Sequence, residues 1–230
     1  MKNAAAWLKD ALGYECKDEA LLEAALTHRS AGGPHNERLE FLGDAVLNCV
    51  VAKLVFSEFG AADEGDLSRF RASLVSGEAL AVIASEIGLG DQVRLGSGEL
   101  KSGGFRRKSI LADTLEALFG AIYLDGGFGA IERVIERLFA SRLDRLPTAA
   151  ELKDPKTRLQ EALQAQGLPL PAYVVDSVTG EAHNQQFLVG CSVPALGLRT
   201  VASGPSRRRA EQAAAQLLLD ELIRPRDTLQ

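Results

Sequence analysis

Three carboxylates share one face of an otherwise apolar segment, and their spacing suggests metal chemistry. In the stretch NERLEFLGDAVL, Glu37, Glu40 and Asp44 occupy positions i, i+3 and i+7, which a helix places on one side. The other positions are mostly apolar, as in a buried helix, and acids are rarely buried without a partner. A divalent cation would neutralise them. The oxygen donors favour Mg²⁺, with Mn²⁺ as a substitute, over zinc.

A second apolar segment carries the same kind of acidic face. In SILADTLEALFGAIYL, Asp113 and Glu116 stand at positions i and i+3. Taken alone, each set could be a solvated acidic face, with Arg38 as a counter-charge for the first set. Two such helices packed together would instead form a cage of four carboxylates. A two-metal phosphodiesterase uses this arrangement, with its ions about 4 Å apart.

The pattern of apolar residues and of Gly and Pro breaks predicts two domains. The first contains these acids, and the second is a smaller module. From residue 1 to about 145, apolar residues recur at helical spacing, and Gly-rich breaks divide the region into six or seven helices. Residues 1–146 are therefore expected to form an all-α domain. A polar connector follows at 147–153. Residues 154–226 read as α-β-β-β-α, a small α+β domain in which a sheet packs against two helices.

Composition limits the class of protein without naming a substrate. The chain has 230 residues and a net charge of −5; residues 1–150 carry 17 Lys and Arg against 22 Asp and Glu. An acidic body requires a cation wherever phosphate approaches it. The three scattered cysteines fit neither a zinc site nor a disulfide framework. No segment reads as a secretory signal or a membrane span, which predicts a cytoplasmic protein without a membrane partner.

The two acidic segments and the tail together resemble the ribonuclease III family, in its bacterial two-domain form. NERLEFLGDAVL is similar to that family's hallmark segment, and GELKSGGFRRKSILADTLEALFGAIYLDGG is similar to its second conserved block. The tail resembles its double-stranded-RNA-binding domain. The resemblance covers nearly the whole chain in the expected order. It implies an endoribonuclease that hydrolyses double-stranded RNA with Mg²⁺ and uses no small-molecule substrate.

The resemblance assigns roles to individual acids. Glu40, Asp113 and Glu116 match the family's magnesium ligands, and Asp44 and Glu116 match the positions credited with catalysis. Two further acids of the same valley have less certain roles, namely Glu37 and Glu64. For Glu64 an alternative is open: in ADEGDLSRF it could simply favour the N-terminus of the following helix.

The family's products and assembly are also implied by the resemblance. The products carry a 5′ phosphate and a 3′ hydroxyl, with two-nucleotide 3′ overhangs. A symmetric homodimer gives this stagger, because its two active sites face opposite strands of one duplex. Phe41 matches a residue that packs across the dimer axis, although an ordinary core Phe fits the sequence equally well. Precursors of ribosomal RNA, together with structured messenger and transfer RNAs, are the expected substrates.

The tail offers three candidate RNA-binding surfaces. Double-stranded RNA is gripped through 2′-hydroxyls and phosphates over about 16 base pairs. Polar groups for a minor groove stand on the first helix, at Thr157, Gln160 and Glu161, and a loop carries His183. The last helix begins with Arg207, Arg208 and Arg209, after a possible cap at Ser206. Singly, His183 could be a plain loop residue and the arginines a solvated face.

Other readings of the sequence remain open at this point. Four basic residues precede the second acidic helix and are either contacts to the RNA backbone or a plain surface loop: Lys101, Arg106, Arg107 and Lys108. The chain could also be a non-catalytic double-stranded-RNA-binding protein that keeps the fold. The intact acidic set favours the enzyme. An acidic helical scaffold fused to a small module would explain neither acidic face.

Overall fold

The chain folds into two compact units, residues 1–146 and 147–230. The structure, a computed structural model, describes residues 4–181 and 184–223. Within the described part of the first unit there are eight α-helices: α1 (Ala4–Leu12), α2 (Glu19–Ala25), α3 (Glu37–Glu58), α4 (Glu64–Leu74), α5 (Gly77–Glu86), α6 (Ser97–Lys101), α7 (Lys108–Gly126) and α8 (Phe128–Leu143). In this part of the chain, no helix is both long and apolar enough to span a membrane.

Local sequence explains where several of these helices begin. Asp18, Asp63 and Ser76 precede α2, α4 and α5, and each side chain accepts a hydrogen bond from a backbone N–H of the first turn. This satisfies donors that a helix N-terminus otherwise leaves free. The first unit has eight described helices rather than the predicted six or seven. The additional helix is the short α6, which lies in the Gly-rich segment 96–104 that the sequence predicted to be a break.

Helices α3 and α7 cross at the centre of the first unit, where two glycines allow their backbones to touch. A Cβ on Gly43 would collide with the carbonyl oxygen of Glu116, and one on Gly120 would collide with that of Leu39. Large side chains of α7 and α8, among them Phe119 and Phe139, are fully buried around this crossing. The crossing fixes which residues of α3 face which residues of α7.

The second unit is a three-stranded antiparallel sheet with two helices on one face. Its elements are α10 (Pro155–Ala165), β1 (Ala172–Thr179), β2 (Gln186–Val193), β3 (Leu198–Gly204) and α11 (Arg207–Ile223), with sheet order β1-β2-β3. A bulge interrupts the β1–β2 register between Val175 and Ser177. Buried side chains from α10, β2 and α11 form the core, including Leu159, Cys191 and Leu218.

The observed architecture confirms the predicted fold class, a helical domain followed by an α-β-β-β-α domain. The segment between the units is not uniformly irregular: it contains the one-turn helix α9 (Ala149–Leu152). The Thr148 hydroxyl accepts a hydrogen bond from the Glu151 backbone, and the Glu151 carboxylate accepts one from the Thr148 backbone. This reciprocal pair of bonds stabilises a helix start.

Candidate active site

The crossing of α3 and α7 brings two pairs of acids together. Glu40 and Asp44 lie on α3, one turn apart, and Asp113 and Glu116 lie at matching positions on α7. One carboxylate oxygen from each of Glu40, Asp113 and Glu116 lies within 4.8 Å of the others. All three side chains are half-buried. Such a set of hard oxygen donors at this spacing fits a divalent cation of the magnesium type.

The electrostatics of these acids favour a bound cation. Burial, followed by the negative charges of Asp44, Asp113 and Glu40, raises the pKa of Glu116 to about 7. Burial and the charge of Asp113, with smaller effects of Glu37 and Asp44, raise the pKa of Glu40. A pKa raised by burial and like charge means that the carboxylates repel one another in water. A cation would remove this repulsion.

Two basic residues lie near Asp113, and one of them, Arg29, also lowers the pKa of Glu40. Burial raises the pKa of Asp113, and the charges of His28 and Arg29 partly offset that effect. Asp44 is held from within its own helix, since the Asn48 side-chain amide donates a hydrogen bond of 2.8 Å to its carboxylate. Helix geometry thus sets the spacing within each pair of acids, and the crossing of α3 and α7 brings the two pairs together.

The two remaining acids of the predicted valley occupy different positions. Glu37 lies at the start of α3, where Arg29 donates to its carboxylate at 3.2 Å and where it borders the same cavity as Glu40. Glu64 is the first residue of α4 and accepts a hydrogen bond from Ser68 at 3.1 Å. In the described contacts nothing joins Glu64 to the other acids.

A cavity of about 550 Å³ adjoins the acids and reveals residues that the sequence patterns did not single out. Its lining combines acids with basic and polar groups, namely His28, Arg29, Ser30, Asn36, Glu37, Glu40, Glu99, Arg107, Ser109, Ile110 and Asp113. The Asn36 side chain is buried, and its amide nitrogen has no hydrogen-bond partner among the described residues. In the sequence, only the polar run THRS (residues 27–30), just before the Gly-Gly-Pro turn, hinted at the part of this lining formed by His28, Arg29 and Ser30.

The basic segment before α7 divides into residues with different surroundings. Arg107 lines the cavity and pairs with Glu99 at 3.0 Å, so it faces the acids. Lys108 pairs with Glu78 at 2.7 Å, and Arg106 stacks over the ring of Phe105. Lys101 is exposed. Of the four, Arg107 therefore has the position best suited to a phosphate near the acids.

Phe41 is not a core residue. Its side chain is 81% exposed on α3, beside the acids but pointing away from the crossing. A largely exposed phenylalanine is costly in water unless something covers it. The alternative of an ordinary core position is therefore excluded by the structure.

The candidate RNA-binding residues of α10 lie near the surface of the second unit. Thr157 hydrogen-bonds Asp154, Gln160 is exposed, and Glu161 pairs with Lys153 at 2.8 Å. His183 lies outside the described residues. On α10, therefore, Thr157 and Glu161 already have partners within the chain, whereas Gln160 faces solvent.

At the start of α11 the three arginines are exposed but not equivalent. The Ser206 hydroxyl accepts a hydrogen bond from the Arg209 backbone and so caps the helix. Arg207 donates to Glu211 at 2.8 Å, and Lys156 donates to the other oxygen of Glu211 at 2.6 Å. In the described structure no hydrogen bond or ion pair engages the guanidinium of Arg208 or Arg209.

Comparison with known proteins supports what the fold and site suggest. Residues 18–143 match the Ribonuclease-III-like family, and residues 155–222 match the double-stranded RNA binding motif. Ribonuclease 3 of Aromatoleum aromaticum is 55% identical over 218 residues, covering 95% of this chain and 97% of that protein. Ribonuclease 3 of Vibrio vulnificus is 53% identical over 211 residues, covering 92% of this chain and 94% of that protein.

Solved structures agree with the sequence matches. The nuclease domain of ribonuclease III from Campylobacter jejuni has a TM-score of 0.60 and 44% identity, covering 64% of this chain and 100% of that chain. A second structure of that domain has a TM-score of 0.57 and 46% identity, covering 59% of this chain and 95% of that chain. Fold and site therefore define a helical nuclease joined to an RNA-binding domain. The chain belongs to the ribonuclease III family, as an endoribonuclease of that type.

Proposed function

We propose that the chain cleaves double-stranded RNA by Mg²⁺-dependent hydrolysis, with Mn²⁺ able to substitute. The grouping of the Glu40, Asp113 and Glu116 carboxylates within 4.8 Å carries the proposal, and these three residues would hold the ion. The chemistry that a divalent cation supplies in such a site is activation of water and stabilisation of charge on the phosphodiester.

The surrounding side chains complete the catalytic environment. The carboxylate of Asp44 accepts a hydrogen bond from Asn48 and lies close enough to Glu116 to raise its pKa, and we assign these two acids to catalysis. Arg29 and Arg107 line the adjoining cavity and would balance the charge of an incoming phosphate. Glu37 supports the site through its contact with Arg29. Glu64, at the start of α4, is assigned to the same acidic valley from sequence alone.

The second unit would deliver the duplex. The double-stranded RNA binding motif at 155–222 supports this role. Arg208 and Arg209, exposed beside the α11 N-terminus, are suited to phosphates, and Thr157, Gln160 and Glu161 to the minor groove. His183 is assigned to the next groove contact from sequence alone.

We further propose that the enzyme acts as a homodimer. A solved structure of the Campylobacter jejuni nuclease domain concerns structural flexibility in a region involved in dimer formation, and the exposed Phe41 supplies an apolar surface that a partner would cover here. Two sites facing opposite strands would leave 5′ phosphates, 3′ hydroxyls and short 3′ overhangs. Precursors of ribosomal, messenger and transfer RNA in the cytoplasm are the proposed substrates, in keeping with three free cysteines.

The test is cleavage of a perfect RNA duplex in Mg²⁺ by the full chain and by Glu116→Gln. The variant should cleave about 1,000-fold more slowly, because it removes both a ligand oxygen and a catalytic charge. Glu136→Gln, an acid-to-amide change on α8 far along the chain, should cleave like the wild type. If the wild type binds duplex RNA without cutting it at any Mg²⁺ concentration, the chain is a binding protein and not a nuclease.

A further inference from the structure

The side-chain amide of Asn36 is buried at the start of α3 without a hydrogen-bond partner. Asn36 is 2% exposed, and no described residue accepts a hydrogen bond from its amide nitrogen. The residue borders the cavity beside the acids. A buried amide that makes no hydrogen bond destabilises the folded state, so most such groups in proteins have a partner. Asn36 is therefore suited to a partner that it acquires when the site is in use.

Helix capping does not account for Asn36. Asparagine is common before a helix, because from an extended backbone its side-chain oxygen can accept a hydrogen bond from the first turn. Asn36 holds this position in α3, yet its backbone is helical, at φ −76° and ψ −17°, and its side chain makes no capping bond. Its backbone N–H donates to the Thr27 carbonyl at 2.9 Å, and its carbonyl accepts from the Glu40 N–H at 2.9 Å. The backbone of Asn36 is thus held in place while its amide stays available.

Glu40, four residues after Asn36, offers the complementary group. Side chains at positions i and i+4 share one face of a helix, with Cβ atoms about 5–6 Å apart. Both residues border the same cavity. The Glu40 carboxylate is half-buried, and no described side chain donates a hydrogen bond to it. An unpaired donor and an unpaired acceptor therefore lie one turn apart.

The other end of the acidic face of α3 already makes a bond of this kind. The Asn48 amide donates to the Asp44 carboxylate at 2.8 Å, again across four residues. In chain order the face consists of Asn36, Glu40, Asp44 and Asn48, each four residues from the next. Each acid thus has an amide one turn away from it, and of the two possible bonds only the one to Asp44 is formed.

The other acids at the cavity suit Asn36 less well. Glu37 follows Asn36 directly, and adjacent residues of a helix do not face each other. Its carboxylate also accepts a hydrogen bond from Arg29 at 3.2 Å. Asp113 lies on α7, near the charges of His28 and Arg29. Because the Asn36 nitrogen is buried, a group of the chain can reach it more readily than an RNA strand can.

We propose that Asn36 is a positioning residue for the divalent cation, and that its amide donates to the Glu40 carboxylate when that carboxylate holds the ion. This inference rests on the proposed function, whose metal ligand Glu40 it concerns. Carboxylates that bind a metal are commonly hydrogen-bonded by a second group, which fixes their orientation and strengthens binding. An amide supplies such a donor without a positive charge, so it does not repel the cation.

Metal affinity, measured without RNA, tests the proposal in the full chain. Mn²⁺ is titrated into the protein, and the electron paramagnetic resonance signal of the free ion gives the dissociation constant. Asn36→Ala should raise this constant about 10-fold, since losing an outer hydrogen-bond partner weakens metal sites by roughly 10- to 100-fold. Gln164→Ala, which removes an exposed amide from α10, should change it less than about twofold. An unchanged dissociation constant for Asn36→Ala overturns the proposal.

Nuclear magnetic resonance follows the amide itself in the unmutated chain. The sequence contains four asparagines, Asn3, Asn36, Asn48 and Asn184, so selective ¹⁵N labelling of asparagine gives four side-chain signals. The Asn36 signal is the one that Asn36→Ala removes. Saturating Mg²⁺ should move its proton resonance downfield, because the amide gains a carboxylate acceptor, and should leave the Asn184 signal in place. An Asn36 signal that does not move overturns the proposal, however well the variant folds.

The dependence of cleavage on Mg²⁺ separates positioning from a structural role. Asn36→Ala should need about 10-fold more Mg²⁺ for half-maximal cleavage and should approach the wild-type rate at saturation. Its melting temperature without divalent ions should stay close to that of the wild type, because the lost amide makes no hydrogen bond in the described structure. A lower rate at every Mg²⁺ concentration, together with a lower melting temperature, would mean a purely structural role and overturn the proposal.

The outcomes distinguish this inference from the proposed activity. A chain whose Mn²⁺ affinity depends on Asn36 but which never cuts duplex RNA contradicts the nuclease and leaves the positioning role intact. A chain that cuts RNA, and whose Mn²⁺ affinity is the same with and without the Asn36 amide, overturns the positioning role alone.

Discussion

Two partly buried glutamates, one in each unit, show opposite electrostatics. Glu116 faces Asp44, Asp113 and Glu40, and burial with these charges raises its pKa to about 7. Glu211, with a side chain only 10% exposed, accepts hydrogen bonds from Lys156 and Arg207. Burial alone would raise its pKa, but these two partners lower it overall.

The difference separates an acid with a structural role from one with a proposed catalytic role. Glu211 has its counter-charges in the same chain, so its carboxylate stabilises the folded state as it stands. Glu116 lacks them and is tolerated because its helix is anchored by the Gly43–Gly120 crossing. A half-buried acid whose charge is not compensated by the chain is suited to hold the proposed cation.

The largest expected effect on stability comes from removing the compensated acid. Glu211→Gln should lower the free energy of unfolding of the second unit by about 2 kcal/mol at pH 7, because Lys156 loses its buried counter-charge. The exposed end of Arg207 contributes little. Hydrogen exchange of the second unit measures the change. Glu221→Gln, an exposed acid on the same helix, should stay within about 0.5 kcal/mol of the wild type.

The same pair predicts a pH dependence with a definite sign. Because the folded-state pKa of Glu211 is lowered from 4.5, its contribution is present above that value. It is lost as the pH falls through the lower, folded pKa. The stability difference between wild type and Glu211→Gln should therefore be full at pH 6 to 7 and vanish in strong acid. A difference that persists when the carboxylate is protonated would point to packing rather than charge.

Removing the uncompensated acid should have the opposite sign and a smaller size. Without divalent ions, Glu116→Gln should raise the free energy of unfolding of the first unit by about 1 kcal/mol, because it relieves repulsion among half-buried carboxylates. Mg²⁺ should raise the melting temperature of the wild type and leave that of the variant nearly unchanged. Calorimetry with and without Mg²⁺ measures both. Equal stabilisation of the two proteins by Mg²⁺ would place the ion elsewhere.

Helical spacing in the sequence was enough to predict the acidic faces of α3 and α7, because both patterns are local. The sequence also suggested that the two faces meet, but it could not show how, since the close approach depends on Gly43 and Gly120. A glycine inside a helix is unfavourable and often has a packing reason, so a signal was present. Arg29 and Arg107 also line the cavity, but they come from segments far apart in the chain. No periodic pattern in the sequence could therefore predict that they share it.

The second unit illustrates the same limit. Alternation of apolar residues predicted the strands, and the observed order agrees. The pairing of Glu211 with Lys156 spans 55 residues and was invisible in the pattern. The sequence alone treats the three arginines at the start of α11 as one basic cluster. Their partners in the fold make them unequal.

The smallest expected effect follows from that inequality. Arg208→Ala should reduce the slope of log affinity against log salt by about 1, because one phosphate contact is lost. Arg207→Ala should reduce it by less than half as much, since Glu211 already engages its guanidinium. Duplex binding is measured in the Glu116→Gln background, so that cleavage does not interfere. Equal losses of slope would mean that Arg207 leaves Glu211 to bind phosphate, and that this compensated pair also takes part in RNA recognition.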